Sequence, residues 1–203
     1  MLAFAVGWAA FLVWSIATFT LLERVWARDH HRPRARRIAA AAGLLAVDSA
    51  IARGIVWSAD ASASLGRVAL AWLVAELLLY WVHRAMHAVP LLWRFHRVHH
   101  RDEPVAWSTA WYVHPVDATL FATCALLGGV IAGAGAPGAV AFVVGRRAWT
   151  VLLHASIAWP ASWLDRIIAT PPLHHRHHDE HQRVGNFAST LPVLDHVFGT
   201  ARS

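Results

Sequence analysis

The chain has 203 residues, 57% of them hydrophobic, with 12 Trp and only 15% charged. That length suits one domain, and that composition suits a bilayer better than water, which argues against an ordinary soluble globular protein. The net charge of +6 comes from Arg alone, since no Lys is present; the Arg residues fall in blocks beside apolar segments, which argues against nucleic acid and for the cytoplasmic flanks of membrane spans.

In chain order, the first 22 residues carry no charge before Glu23, and about 20 apolar residues cross a bilayer as a helix. Met1–Leu22 is expected to span. No basic residue precedes it and no convincing small-residue cleavage site follows, so it reads as an uncleaved span rather than a signal peptide. Arg24, Arg28, Arg32, Arg34, Arg36 and Arg37 then crowd a cytoplasmic loop, in which His30 and His31 read as solvated or interfacial. A second apolar stretch, Ile38–Ser58, contains Asp48 and Arg53. An acid in a span marks either a functional group or a structural pair. The third stretch, Val68–Val89, follows a loop without Arg that reads as external.

Val116–Ala132 and Ala139–Ala158 form the arms of an expected helical hairpin around Gly133–Gly138, with Arg146 and Arg147 inside the second arm. That arm either packs within the bundle or enters the membrane only partly. The turn matches G-x-G-x-x-G, but no strand precedes it and no acid lies about 20 residues on, so a dinucleotide site is rejected. Cys124, the only cysteine, reads as a small buried hydrophobe and leaves no disulfide and no thiolate metal site.

Three histidine groups stand beside these segments: His83-x-x-x-His87, His96-x-x-His99-His100 and His174-x-x-His177-His178. Residues three or four apart share a helix face, so each group is expected to aim its imidazoles in one direction, as a ligand claw. Eight nitrogens exceed the roughly four to six positions of one first-row ion, so if most of them ligate, two ions share the site. His83 lies 16 residues after Arg67, which at about 1.5 Å of rise per residue is ~24 Å along its span, near the inner interface. His154 reaches a similar depth in the hairpin. The metal site is expected at the cytoplasmic face.

The residues around these groups are specific. Glu76-Leu-Leu-Leu-Tyr80-Trp81-Val-His83-Arg84-Ala-Met-His87, then Leu92-Trp93-Arg94-Phe95-His96-Arg-Val-His99-His100, Thr109-Ala-Trp-Tyr-Val-His114-Pro115-Val-Asp117, Thr170-Pro171-Pro-Leu-His174-His175-Arg-His177-His178, and finally Asn186-Phe187 and Leu194-Asp195-His196-Val-Phe198-Gly199-Thr200 occur in order. Over roughly residues 70 to 200 the chain resembles the fatty acid hydroxylase superfamily, which includes sterol desaturases and alkylglycerol monooxygenase. It departs from the family in the His-Pro segment, where an Arg is expected near Tyr112 and a Glu at Asp117.

The resemblance implies a membrane-bound non-haem di-iron oxygenase that uses dioxygen and external electrons to hydroxylate or desaturate a lipid, whether sterol, fatty acyl or ether lipid. It implies two iron ions (Fe2+/Fe3+), and His83, His87, His96, His99, His100, His174, His177 and His178 as their ligands. Some members carry a further His-x-x-x-His; here His154 fills its second position and Thr150 stands at its first. His154 is open between a ninth ligand and a supporting role. His114 either ligates or shapes its loop, His175 lies off the ligand face and would support a ligand, and His181 could extend the last group. Glu76, two turns before His83, either supports a ligand or is a buried, hydrogen-bonded acid, and His196 reads as solvated or interfacial. Trp72, Trp81, Trp93, Trp107 and Trp111 could line a lipid entrance, although interfacial anchoring is the commoner role of Trp.

The chain is thus read as all-α: an integral membrane helical bundle of three or four spans plus a helical hairpin, under a cytoplasmic histidine-rich cap. Residues 1–65 would form the first spans and the Arg-rich loop, and residues 66–203 the catalytic region. With no haem motif, iron–sulfur cysteines or nucleotide fold in this sequence, electrons are expected from a separate donor protein of haem, ferredoxin or flavin type. The rivals are a zinc-dependent membrane hydrolase, since imidazole suits zinc equally, and a membrane metal carrier, whose sites usually lie nearer the bilayer midplane.

Overall fold

The computed structural model describes residues 2–26, 40, 43–44, 46–50, 53, 64–101, 104–159, 162–179 and 185–202. Arg28 to Arg37 with His30 and His31, most of the Ile38–Ser58 stretch, and His181 lie outside the described residues. The described chain is helical: α1 (Leu2–Val25), α2 (Leu65–Ala88), α3 (Pro90–His100), α4 (Pro115–Ala132), α5 (Gly135–His154), α6 (Pro171–His178) and α7 (Val193–Val197), with single 3-10 turns at Trp107–Trp111 and Ser162–Arg166.

Two of these helices, α2 and α4, are long and apolar enough to cross a membrane. On α2 the exposed Leu70, Leu73, Leu77 and Trp81 recur at helical spacing, an apolar face suited to lipid. Its opposite face carries the fully buried Ala71 and Ala75. There α4 comes so close that a Cβ on Gly128 would lie 2.6 Å from the Ala71 carbonyl oxygen and 2.8 Å from the Ala75 Cβ. Small residues at such a crossing let two backbones touch, and the crossing fixes where the C-terminal end of α2 delivers its histidines.

The hairpin turn is tighter than the glycine run suggests. α4 ends at Ala132, Gly133 takes φ +60° as its cap, and α5 begins at Gly135. A left-handed residue costs Gly nothing, while Pro137 falls in the first turn of α5, where no helical N–H bond is lost. Arg67 Nη1 closes the turn by donating to the Gly133 carbonyl at 2.8 Å. The expected arm Ala139–Ala158 is therefore shifted to Gly135–His154.

The two arginines of that arm are paired inside the bundle. Arg147 grips Asp48 with two hydrogen bonds of 2.7 and 2.8 Å, so Asp48 is a structural partner. Arg146 lies 3.7 Å from Glu76 and over the Trp72 ring. At the end of α1, Glu23 accepts from the backbone N–H groups of Trp107 and Ser156, each at 2.8 Å, tying both loops to the first helix. Trp107 and Trp111 are fully buried, so they are neither entrance nor anchor: the 3-10 turn that carries them packs on α5, with Arg147 over the Trp111 ring.

Candidate metal centre

Each histidine helix starts in a way that fixes its direction. α3 and α6 both carry Pro in their first turn, where the missing N–H is harmless and φ is already helical. The elbow at Val89 turns α3 back so that His96 and His100 face the histidines at the end of α2, and these two and His99 are buried.

The nine histidines collect into two groups. His83 and His87 of α2, His96 and His100 of α3 and His177 of α6 form one; His99 of α3, His154 of α5 and His174 and His178 of α6 form the other. Within each group the candidate ligand atoms all lie within 4.8 Å of one another. The expectation that each box faces one way is thus corrected. Successive helix residues advance by about 100°, so His96 and His100 differ by about 40° while His99 stands about 100° from His100. The second and third boxes are therefore split between groups, and α3 and α6 each bridge both. His154, open in the sequence, stands inside the second group.

The spacing and protonation of the rings point to cations. His154 Nε2 lies 3.0 Å from His99 Nε2, 3.0 Å from His174 Nε2 and 3.3 Å from His178 Nε2. His96 Nε2 and His100 Nε2 are 3.2 Å apart. Nitrogens bound at about 2.0–2.1 Å to one ion stand about 3 Å apart. The other ring nitrogens meet oxygens that can only accept: His99 Nδ1 the Tyr112 carbonyl at 3.1 Å and His154 Nδ1 the Thr150 carbonyl at 2.7 Å. Both Nδ1 atoms must then carry the proton, and a neutral ring is left with a bare Nε2. Two lone pairs facing each other at 3.0 Å repel unless a positive ion lies between them.

The first group repeats the pattern. His83 Nδ1 donates to the Phe187 carbonyl and His177 Nδ1 to the Gly185 carbonyl, each at 2.8 Å, and His177 Nε2 is buried with no hydrogen-bond partner among the described residues. His96 Nδ1 donates to Asp117 Oδ2 at 3.1 Å. Burial, reinforced by neighbouring imidazoles, holds the pKa values of His96, His100, His174, His177 and His178 well below that of a free imidazole. The rings are neutral, the form that binds metal. This donor set fits two first-row ions.

The supporting residues sort cleanly. Glu76 is fully buried and accepts from Ser189 Oγ at 2.7 Å and from the N–H groups of Thr190 at 2.7 Å and Leu191 at 3.2 Å. It holds the closing segment, not a ligand ring. His175 Nε2 meets the carbonyl of His154 at 3.2 Å, while His114 caps α4 by accepting from the Val116 N–H at 3.2 Å and so shapes the loop. His196 is exposed.

Asp117, singled out in the sequence only as a departure, is the carboxylate that orients His96. Asp195 was visible only as part of a motif: it accepts from the N–H groups of Phe187 at 2.8 Å and Ala188 at 3.0 Å, holding in place the carbonyl that His83 uses.

A cavity of about 140 Å³ opens onto both groups. It is lined by His83, His96 and His177 of the first and His99, His154 and His174 of the second, by the apolar Leu44, Val47, Phe121, Val143 and Leu153, and by Asp48, Arg146 and Arg147. None of the five tryptophans considered as entrance residues is among its lining residues. A mostly apolar chamber beside the two imidazole groups is suited to hold a hydrocarbon chain.

Comparison with known proteins agrees. An ornithine lipid hydroxylase of Rhizobium tropici is 33% identical over 144 residues, covering 66% of this chain and 41% of that protein. A very-long-chain aldehyde decarbonylase of Oryza sativa subsp. indica is 29% identical over 143 residues, 67% of this chain and 52% of that protein. Methylsterol monooxygenase 1 of Rattus norvegicus is 30% identical over 125 residues, 60% and 41% respectively. The chain spans about half the length of the curated relatives it matches, and no solved structure matches it significantly. The family model described as fatty acid hydroxylase matches residues 68–200, a stretch that holds every histidine of both groups, and the chain belongs to that family.

Proposed function

We propose that the chain is an integral membrane di-iron oxygenase that hydroxylates or desaturates a lipid. The carrying observation is the pair of convergent imidazole groups whose Nε2 atoms stand about 3 Å apart. His83, His87, His96, His100 and His177 would hold one iron, and His99, His154, His174 and His178 the other. Bound iron supplies the activation of dioxygen that an unactivated C–H bond demands. One oxygen atom enters the C–H bond to give an alcohol; the other leaves as water, with two electrons and two protons drawn from outside the site.

The protein's own residues do the rest. The carbonyls of Tyr112, Thr150, Gly185 and Phe187, with the Asp117 carboxylate, keep five rings in the metal-binding tautomer. The apolar cavity walls exclude water and hold one stretch of hydrocarbon beside both groups. Support for a lipid comes from this chamber, from the two helices able to cross a membrane and from relatives named for sterol, ornithine lipid and aldehyde chemistry. Under this reading residues 66–203 carry the catalysis, the chain crosses the bilayer three or four times, and the site opens at the cytoplasmic face, where a separate haem, ferredoxin or flavin protein delivers electrons.

Turnover under 18O2 in nanodiscs, with products identified by lipid mass spectrometry, tests the proposal. Label in a lipid alcohol, or oxygen-dependent formation of an alkene, is expected. Product formed without oxygen, or an alcohol that carries no 18O because its oxygen comes from water, would replace the oxygenase by a hydrolase.

A further inference from the structure

The cavity carries one feature that the chemistry at the histidines does not use. Arg146 lines it, yet its Nη1 is buried with no hydrogen-bond partner among the described residues. Glu76 stands 3.7 Å away, beyond hydrogen-bond reach, and its two oxygens already accept three bonds from the segment 189–191. Arg147 beside it is engaged by the two-pronged grip on Asp48. A buried guanidinium N–H without an acceptor is costly, and the side chain that carries this one borders a space continuous with both imidazole groups.

Charge narrows what could fill that role. Arg146 and Arg147 are balanced by Glu76 and Asp48, so an added anion would be left uncompensated in a poorly solvated place. A neutral oxygen acceptor satisfies the guanidinium without that penalty. Along α5, Arg146 precedes His154 by eight residues, or ~12 Å of rise, and Phe121, Val143 and Leu153 make apolar walls in the same cavity.

Resting on the lipid-oxygenase reading, we infer that Arg146 is the substrate-recognition residue: it holds a neutral, oxygen-bearing group of an otherwise apolar lipid, such as an ester or amide carbonyl or a hydroxyl. The carbon to be oxidised then lies toward the histidines, in the direction of the C-terminal end of α5, where His154 follows Arg146 by ~12 Å of helix rise. A free fatty acid anion is disfavoured. The oxygen anchor selects both the lipid class and the carbon attacked.

Saturable binding of radiolabelled methyl stearate, stearate and octadecane to the metal-loaded protein in nanodiscs, kept anaerobic so that nothing is consumed, tests this. Methyl stearate is expected to bind at least tenfold more tightly than either stearate or octadecane. Arg146→Met should remove that advantage and leave octadecane binding unchanged; Glu76→Gln, which strips one negative charge while keeping an oxygen acceptor for Thr190, should raise stearate binding by about tenfold. Equal binding of methyl stearate and octadecane by the wild type, or tightest binding of stearate, overturns the inference without any variant having to fold. So does an Arg146→Met protein of normal helicity that keeps the wild-type order. A failure of the iron reading would register in metal analysis and would not alter this order of binding.

Discussion

Asp117 offers the sharpest test of how the imidazoles are set. Asp117→Leu removes the carboxylate that accepts from His96 Nδ1 at 3.1 Å, where the two side chains are 0% and 1% exposed. With no water to replace it, the ring N–H goes unpaired at a cost of about 1–3 kcal/mol. The ring can avoid that cost by moving its proton to Nε2 or by rotating, and either response withdraws the nitrogen aimed at the first group. Loss of such an outer partner lowers metal affinity by roughly 10- to 100-fold, which is about 1.4–2.8 kcal/mol at 1.4 kcal/mol per decade. The two routes agree in size. Anaerobic Fe2+ titration against a competing chelator should show that loss for one of the two ions only, since His99 of the second group depends on the Tyr112 carbonyl instead. Asp117→Asn keeps an oxygen acceptor and should lose less. An Asp117→Leu protein of normal helicity that binds both ions with wild-type affinity would refute the orienting role.

Other consequences follow from the same geometry. His154→Ala takes the Nε2 that stands 3.0 Å from both His99 and His174, so elemental analysis should find one ion per chain in place of two and lipid oxidation should cease. Gly128→Leu would force a side chain into the Ala71 and Ala75 backbone; overpacking of this kind costs about 1–3 kcal/mol, visible as a lowered thermal midpoint in detergent. For the metal-free protein, the buried imidazoles of α3 and α6 titrate well below free imidazole. Below the unfolded value of about 6.5 the unfolded chain therefore binds more protons than the folded one, and stability falls with falling pH. Thermal midpoints should be flat above about pH 7 and drop progressively below about pH 6.5; a midpoint that rises on acidification would contradict neutral, buried rings.

Helical spacing in the sequence made the eight box histidines legible, because a metal cluster needs many ligands and leaves a repeated mark. How they divide was not legible. His99 and His100 are neighbours in sequence yet serve different groups, because which side of a helix faces which ion depends on where α2, α5 and α6 pack around it. His154 could be named but not assigned for the same reason. The ring-orienting acceptors at Tyr112, Thr150, Gly185 and Phe187 are backbone carbonyls, which no residue type announces. Asp117 and Asp195 stood inside recognised motifs, but what they hold emerges only when the chain folds back on α3 and on Phe187. The hairpin was readable from its glycines, while its exact turn was set by the left-handed Gly133 and by Arg67, 66 residues away. Arg146 and Arg147 looked misplaced in an apolar segment until Glu76 and Asp48 were seen to face them.

The most direct measurement is the metal content of the protein purified from iron-replete cells, determined by elemental analysis against quantitative amino-acid analysis. Two irons per chain are expected, one for each imidazole group, falling to one in His154→Ala. A single ion in the wild type, or two zinc ions in a preparation that oxidises lipid at full rate, would contradict a di-iron centre built from nine histidines.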